Sequence, residues 1–469
     1  MRQIWGTVTE LVQRPGAQRE GYSEAMVQID DCDGRGSGSD SDSDASNGAP
    51  EKAVCYPQLT GAVQVGERVL LNTTAVDLDL GTGGVHFVVA RASDDSKGAQ
   101  LNEAMQPEAG HLMKLRYTPH QLNVLSVEAQ ESPYHTIMEN RDSLEGVPVV
   151  CCGLHSQVPL VAAAIKKAVP TLVVGYVMDD AAALATSLSK ILADSVEAGL
   201  IDVTVSTGQA FGGQIEAINL HSGLLAAVHV GGCDVVIASI GPGLAGTGTP
   251  FGHGGVAQGE AINAAATLGG APIACLRMSE ADTRDRHLGI SHHSLTALSR
   301  VALAPSIIAI PHMDDSCPVF DRVNDELDQL PNQVGHTAFQ LEELFYDEAA
   351  LRGVKVITMG RDYDRDPLFF EAASAAGATA AMVAVMTIED EAAAAVEKAE
   401  SNIAAATAAA GCSSATASGC SASPSSIGAS AASGAVSGTA ATAAANTDTA
   451  AEHTCKGASN CASPCDNSS

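Results

Sequence analysis

The sequence predicts an α/β protein, in which a small β-rich, barrel-like domain precedes a mostly parallel, doubly wound α/β domain. Two patterns along the 469 residues support this. Short alternating apolar runs separated by turn signals fill residues 1–128, whereas longer apolar runs alternate with helical patterns over residues 147–390. Short alternating strands are typical of barrels, and strand–helix alternation is typical of a parallel sheet.

The N-terminal domain contains strand-like runs at residues 3–8, 25–29, 67–71 and 85–90. Residues 33–50 are rich in Gly, Ser and Asp, and they predict a disordered acidic insertion within a loop. A second, milder insertion is expected at residues 92–110.

The α/β domain has eight apolar strand candidates, and they lie at residues 147–152, 171–177, 201–206, 234–240, 272–278, 306–310, 354–358 and 379–385. Helix candidates between them include residues 181–198, 216–228 and 256–268. Right-handed crossovers between such strands give an open doubly wound sheet, and a closed βα barrel is the alternative.

The last segment, residues 398–469, is composed mainly of Ala, Ser, Gly and Thr. After Met386 the chain contains no Leu, Met, Phe, Tyr or Trp. Such a segment buries too little apolar surface to offset its conformational entropy. We therefore predict a disordered C-terminal tail.

The formal net charge is −30. This acidity argues against nucleic acid and against an anionic membrane surface as partners. Neither a signal-peptide pattern nor a long, strongly apolar run is visible, so we expect a cytoplasmic protein. The composition leaves a homo-oligomer open.

The glycine-rich stretch at residues 241–255 follows a strand candidate and precedes a helix candidate. Such a unit can hold an anion on backbone N–H groups, and three arginines come after it in the chain. A small anionic molecule is therefore the expected partner. The expected ligand-binding residues are Gly243, Gly246, Thr247, Gly248, Thr249, Arg277, Arg284 and Arg286.

The same glycines have two other interpretations. They fit a tight structural crossing, where Gly allows close packing. They also match G-x-G-x-x-G, but no helix follows at once, so the motif identifies no dinucleotide or other cofactor.

Histidines and carboxylates follow the arginines closely. His287 and His292, with Asp282 and Asp285, are the catalytic candidates, because a histidine beside a carboxylate can move a proton. A metal site with His155 added to His287, His292 and Asp282 is an alternative. Hydrogen-bonded histidines that only fix a loop are another. We expect one of the adjacent His292 and His293 to enter the site.

Five stretches resemble a bacterial family catalogued as "domain of unknown function 3866". They are Leu71-Asn-Thr-Thr-Ala-Val76, Leu80-Gly-Thr-Gly-Gly84, Gly208-Gln-Ala-Phe-Gly-Gly213, Gly246-Thr-Gly-Thr249 and Arg286-His-Leu-Gly-Ile-Ser-His-His293. The resemblance covers roughly residues 1–390 without the insertions, and it implies no known activity, cofactor or catalytic residue.

Three functions remain open from the sequence. The first is an enzyme that binds a phosphorylated or carboxylated small molecule at the strand ends and uses a histidine as general acid or base. The second is a metal-dependent hydrolase. The third is a non-enzymatic ligand-binding or assembly protein. The reaction type and the natural substrate are not determined by the sequence.

Overall fold

A computed structural model describes residues 3–12, 21–30, 49–77, 84–92, 110, 112–116, 118, 120–180, 185–330 and 334–413. The chain divides into two units, residues 1–400 and 401–469, and every strand among the described residues belongs to the first. Most of the two predicted insertions, at residues 33–48 and 93–109, lies outside the described residues. The same holds for residues 414–469 of the predicted tail.

The strands are numbered in chain order. They are β1 Gln3–Leu11, β2 Ser23–Ile29, β3 Glu51–Cys55, β4 Arg68–Asn72, β5 His86–Arg91, β6 Leu112–Lys114, β7 Leu122–Val124, β8 Pro148–Cys152, β9 Val174–Asp179, β10 Val203–Ser206, β11 Ile215–Glu216, β12 Val235–Ile240, β13 Ala271–Cys275, β14 Met278–Ser279, β15 Gly289–Ile290, β16 Ile307–Ile310 and β17 Thr337–Gln340.

The α-helices are numbered in the same way. They are α1 Pro57–Thr60, α2 Thr74–Asp77, α3 His135–Glu139, α4 Val158–Ala168, α5 Lys190–Glu197, α6 Leu220–His229, α7 Ala257–Thr267, α8 His292–Thr296, α9 Phe320–Asp328 and α10 Pro367–Ser413.

The first five strands close into a barrel in the order β1-β2-β3-β5-β4, which confirms the predicted barrel-like domain. Alternate residues of these strands, including Val8, Val27 and Leu71, form its apolar core. At Gly6 of β1 a Cβ atom would lie 2.7 Å from Val27 Cγ1, so only glycine permits this close strand contact.

The second sheet has eight strands among the described residues, in the order β11-β10-β9-β12-β8-β13-β16-β17. Every neighbouring pair in it is parallel. The sheet is open, which confirms the doubly wound architecture, and the alternative of a closed βα barrel is wrong. Its central strands are buried on both faces, as their near-continuous apolar sequences require.

Two apolar cores cover the two faces of this sheet. Val149 and Cys151 of β8 pack with α6 and α7, whereas Val150 and Cys152 pack with α4, α5 and α10. In the sheet, β8 lies between β12 and β13, so the connection from β12 to β13 passes over β8. Helix α4, which follows β8, and helix α7, which follows β12, therefore lie on opposite faces of the sheet. This place between β8 and β12 is a topological switch point, where open α/β sheets bind ligands.

Two of the predicted strands are wrong. Residues 354–358 show the alternating burial of a strand but pair with no sheet strand among the described residues, and β17 occupies the sheet edge beside β16 instead. Residues 379–385 lie within α10, because their Thr and Val residues continue an Ala-rich helical run without a turn signal.

Helix α10 is long and apolar enough at residues Pro367–Asp390 to cross a membrane. However, 83% of its most apolar window is buried inside the protein. Phe369, Phe370 and Ala373 belong to the core on one face of the sheet. This part of α10 is therefore a core helix of the α/β domain. Its backbone continues past residue 398, where the predicted tail begins, as far as Ser413.

Candidate functional site

A cleft of about 500 Å³ opens at the carboxyl ends of β8, β12 and β13, which meet at the switch point. Its polar lining includes Arg277, Arg284, Arg286, His287, His292 and His293, together with His155, Ser156 and Thr358. Its apolar lining is formed by Leu154, Ile191, Pro242, Leu244, Ile357 and Met359. Gly241, Gly243, Gly246 and Gly248 of the glycine-rich stretch complete one side. The cleft thus collects most of the residues predicted from the sequence.

The glycine-rich loop presents backbone to the cleft. Gly243, Gly246 and Gly248 line it, and Gly243 and Gly248 have φ of +99° and +78°, which side chains disfavour. A Cβ atom at either would meet no atom within 4 Å, so both face open space. Thr247 and Thr249 do not line the cleft. Their hydroxyl groups bond each other at 3.0 Å and brace the loop.

Arg277 lies at the buried end of the arginine group, with 6% of its surface exposed. Its Nη1 lies 3.3 Å from His293 Nδ1, and its Nη2 lies 3.9 Å from Asp282 Oδ2. Burial, followed by the charge of Arg284, lowers its pKa to about 10, which leaves it charged at neutral pH. Arg277 is therefore a buried cation whose nearest carboxylate, Asp282, lies at the outer limit of ion-pair distance.

Asp282 is held by the other arginines. Arg284 donates two hydrogen bonds to its carboxylate, at 2.9 and 2.7 Å, and Arg361 donates a third at 3.2 Å. These contacts lower the pKa of Asp282, the hydrogen bond from Arg284 being the main cause. Arg361 also donates to the fully buried Asp366 at 2.9 Å. The catalytic role predicted for Asp282 gains no support, since this carboxylate is neutralised by arginine.

Arg286 and Asp285 lie near the surface. Arg286 lines the cleft and is exposed. The Asp285 side chain is 90% exposed, bonds Arg322 at 2.8 Å and does not line the cleft. The structure therefore separates Asp285 from the other predicted catalytic residues.

Four imidazoles gather beside the arginines. The ring of His253 stacks on that of His293 at 3.9 Å between centroids, and His292 lies 5.3 Å from His253 and 4.4 Å from His293. His287 lies 5.0 Å from both His292 and His293. The expectation that only one of the adjacent histidines enters the site is wrong, because both stand in the first turn of α8 at the cleft.

His253 was not predicted as a site residue. It lies in the glycine-rich loop between Gly252 and Gly254, and an isolated imidazole among glycines was the signal available in the sequence. An antiparallel bridge between Gly246 and His253 folds the loop back and carries this ring to the histidines of α8.

Two of the imidazoles are oriented by hydrogen bonds to groups outside the cleft lining. His287 Nδ1 lies 2.7 Å from Ser291 Oγ, and His253 Nε2 lies 3.0 Å from the carbonyl oxygen of Pro250. His253 Nδ1 and His292 Nε2 are buried and lack a hydrogen-bond partner among the described residues. Because buried polar atoms usually have a hydrogen-bond partner, these two nitrogens are candidate contacts for a bound group.

Burial keeps these imidazoles neutral. Burial and the charge of Arg277 lower the pKa of His287 to about 3. Burial and the neighbouring His253 lower that of His293 to about 2, and the pKa of His292 also falls. At neutral pH the cluster therefore offers lone pairs and N–H groups rather than positive charges.

The four residues predicted to bind a metal, His155, His287, His292 and Asp282, do not form one set of available ligands. His155 lines the cleft, but its two ring nitrogens are engaged by Tyr176 OH at 3.1 Å and Ser189 Oγ at 2.6 Å. Asp282 is bound by arginines. Instead, ligand atoms of His253, His292 and His293 lie within 4.8 Å of one another.

Comparison with known families gives one match. A family model described as "Protein of unknown function (DUF3866)" matches residues 52–377, more than half of the 469 residues. The chain belongs to this family. The match extends from the barrel of this DUF3866 protein into α10 and includes every residue of the cleft lining. No curated protein and no solved structure shows significant similarity to the chain.

We predict that Asp366→Asn lowers the free energy of unfolding by about 3 kcal/mol, because it leaves the Arg361 guanidinium without its buried partner. Asp285→Asn is the matched control, and it should leave the unfolding midpoint close to that of wild type because that side chain is exposed. Urea unfolding followed by circular dichroism measures both. Equal midpoints for the two variants would contradict the structural importance of Asp366.

Proposed function

We propose that this DUF3866 protein is an enzyme that binds the phosphate or carboxylate group of a small molecule in the cleft and uses His287 as general acid or base. The observation that carries the proposal is Arg277. This buried guanidinium lies 3.9 Å from the nearest oxygen of Asp282, which already binds two other arginines. A buried charge is costly unless it is paired, and an anionic substrate would pair it.

The charge balance of the site supports a strongly anionic ligand. Arg277, Arg284, Arg286 and Arg361 carry four positive charges, and Asp282 and Asp366 carry two negative ones. The difference of +2 stands against a net charge of −30 for the whole chain. A phosphate dianion would match that difference, and guanidinium groups bind phosphate and carboxylate through paired N–H donors.

His287 is well placed to move a proton beside that anion. Its Nδ1 is held by Ser291, and its Nε2 has no hydrogen-bond partner among the described residues. The ring lines the cleft next to Arg284 and Arg286. A neutral histidine oriented through one nitrogen can accept a proton at the other as a general base, and the negative charge of a bound anion would raise the lowered pKa of His287 toward neutrality.

We predict that Arg277→Met weakens the binding of inorganic phosphate or acetate about tenfold to hundredfold, because a charge-assisted hydrogen bond contributes about 1.5–3 kcal/mol. Arg141→Met is the control, since Arg141 lies outside the cleft and pairs with Glu145. Isothermal titration calorimetry on folded samples measures both. The proposal fails if wild-type protein binds neither anion, or if Arg277→Met binds as tightly as wild type.

We predict that His287→Gln binds anions nearly as wild type does but loses most of its turnover, because Gln cannot exchange a proton. Wild type and variant are incubated with a panel of phosphate monoesters and carboxylic acids, and products are identified by mass spectrometry. Binding without any product from wild type would favour the alternative of a non-enzymatic ligand-binding protein.

A metal-dependent hydrolase is the second candidate, and the trio His253, His292 and His293 favours it. His253 donates through Nε2 to a carbonyl oxygen and leaves Nδ1 without a proton, which is the usual arrangement of a metal-binding imidazole. Three neutral imidazoles suit Zn²⁺, which would make a bound water a better nucleophile. This candidate ranks second because the charged Arg277, whose Nη1 lies 3.3 Å from His293 Nδ1, would repel a cation.

We predict for this second candidate that Co²⁺ binds with one equivalent per chain and gives the visible absorption of a tetrahedral site. His253→Ala and His292→Ala should each abolish that absorption. His221→Ala is the control, because His221 is exposed and is not part of the cleft lining. Wild-type protein without Co²⁺ absorption, or His253→Ala and His292→Ala proteins that keep it, would reject the metal site.

A further inference from the structure

One part of the cleft lining is apolar and exposed. Ile357 and Met359 have 63% and 59% of their surface exposed, although both belong to the lining. Leu154, Ile191 and Leu244 line the same cleft and are half-buried. Exposed apolar side chains scattered singly need no explanation, but a group that shares a cleft with buried cations is typical of a binding site.

The backbone holds Ile357 and Met359 in this position. Burial alternates along the extended segment, so that Val356 and Thr358 point inward while Ile357 and Met359 point outward. Thr358 and Arg361 exchange two backbone hydrogen bonds, at 2.9 and 2.8 Å, and thereby close a tight turn. Met359 has φ of +47° in this turn, a conformation that costs energy for a residue other than glycine.

The turn is tied to the cationic part of the cleft. Arg361, its last residue, donates hydrogen bonds to Asp282 and to Asp366. Asp282 in turn binds Arg284, which lines the cleft. The same ion pairs therefore fix both the apolar side chains and the arginine group, and they set the distance between the two.

We infer that the substrate is an amphipathic molecule, in which a phosphate or carboxylate group is joined to an apolar portion that packs on Ile357 and Met359. This inference rests on the proposed function. The volume of about 500 Å³ also supports it, because it falls in the range of pockets that enclose whole organic ligands, whereas an inorganic anion would leave the apolar lining in water.

The test compares straight-chain alkyl phosphates from methyl to hexyl, with alkyl carboxylates of the same lengths as a second series, by calorimetry on the full chain. We expect the affinity of wild type to rise about twofold to fourfold per added methylene group. Hexanol, which lacks the anion, should not bind measurably.

The variant Ile357→Thr/Met359→Asn removes the apolar surface and keeps compatible backbone preferences, because Thr favours extended backbone and Asn tolerates positive φ. The ratio of the Kd values for methyl and hexyl phosphate should fall at least tenfold in this variant. Met386→Asn is the control, since Met386 is exposed on α10 outside the cleft lining. It should keep the wild-type ratio.

The outcomes separate the two proposals. Equal affinity of wild type for methyl and hexyl phosphate, or an unchanged ratio in Ile357→Thr/Met359→Asn, would overturn the inference of an amphipathic substrate and leave the anion site standing. Failure of every phosphate and carboxylate to bind would overturn the proposed function, and this inference with it.

Discussion

The buried carboxylate of Asp366 is the interaction on which the walls of the cleft depend. It accepts hydrogen bonds from Ser279 Oγ, from the backbone N–H of Glu280 and from Arg361 Nε. These partners belong to the segment after β13 and to the turn that precedes α10. Asp366 itself immediately precedes α10, whose N-terminal dipole favours a negative charge there. One buried group thus joins the core helix, the segment that carries the arginines and the turn that carries Ile357 and Met359.

The electrostatics of the cleft reverse those of the surrounding protein. A chain with a net charge of −30 places Arg277, Arg284 and Arg361 around two carboxylates at the switch point of its sheet, and Arg286 lines the same cleft. Burial acts on the neighbouring groups in two ways. It keeps the imidazoles of His287 and His293 neutral, and it strengthens the attraction between Arg277 and an anion, since the effective dielectric constant there is low. A metal cation and an anionic substrate would bind close to Arg277 and would exclude each other. The positive charge of Arg277 favours the anion, and for that reason the metal-dependent hydrolase is the second candidate.

The fold was largely predictable, and the errors have identifiable causes. The strands β8, β12 and β13 were predicted because near-continuous apolar runs end in polar or glycine-rich turns. Burial alternates along residues 354–358 as it would in a strand, yet Ile357 and Thr358 line the cleft and the segment pairs with no sheet strand among the described residues. Residues 379–385 have the β-branched composition of a strand, but the Ala-rich sequence on both sides favours continuation of α10. The hydrophobic pattern of a segment predicts which of its side chains are buried, but it does not determine which element the segment packs against.

The sequence by itself determined the barrel, the parallel sheet and the location of a ligand site at the carboxyl ends of its strands. Hydrophobic periodicity and parallel topology suffice for those conclusions. It also brought forward the glycine-rich loop and the segment with Arg277, His287 and His292. Only the tertiary structure decided that His253 joins the histidines of α8, that Asp285 faces outward, and that Arg361 reaches Asp282 from 79 residues away. These contacts join segments far apart in the chain, and their energy depends on side-chain geometry that exists only after the sheet has assembled.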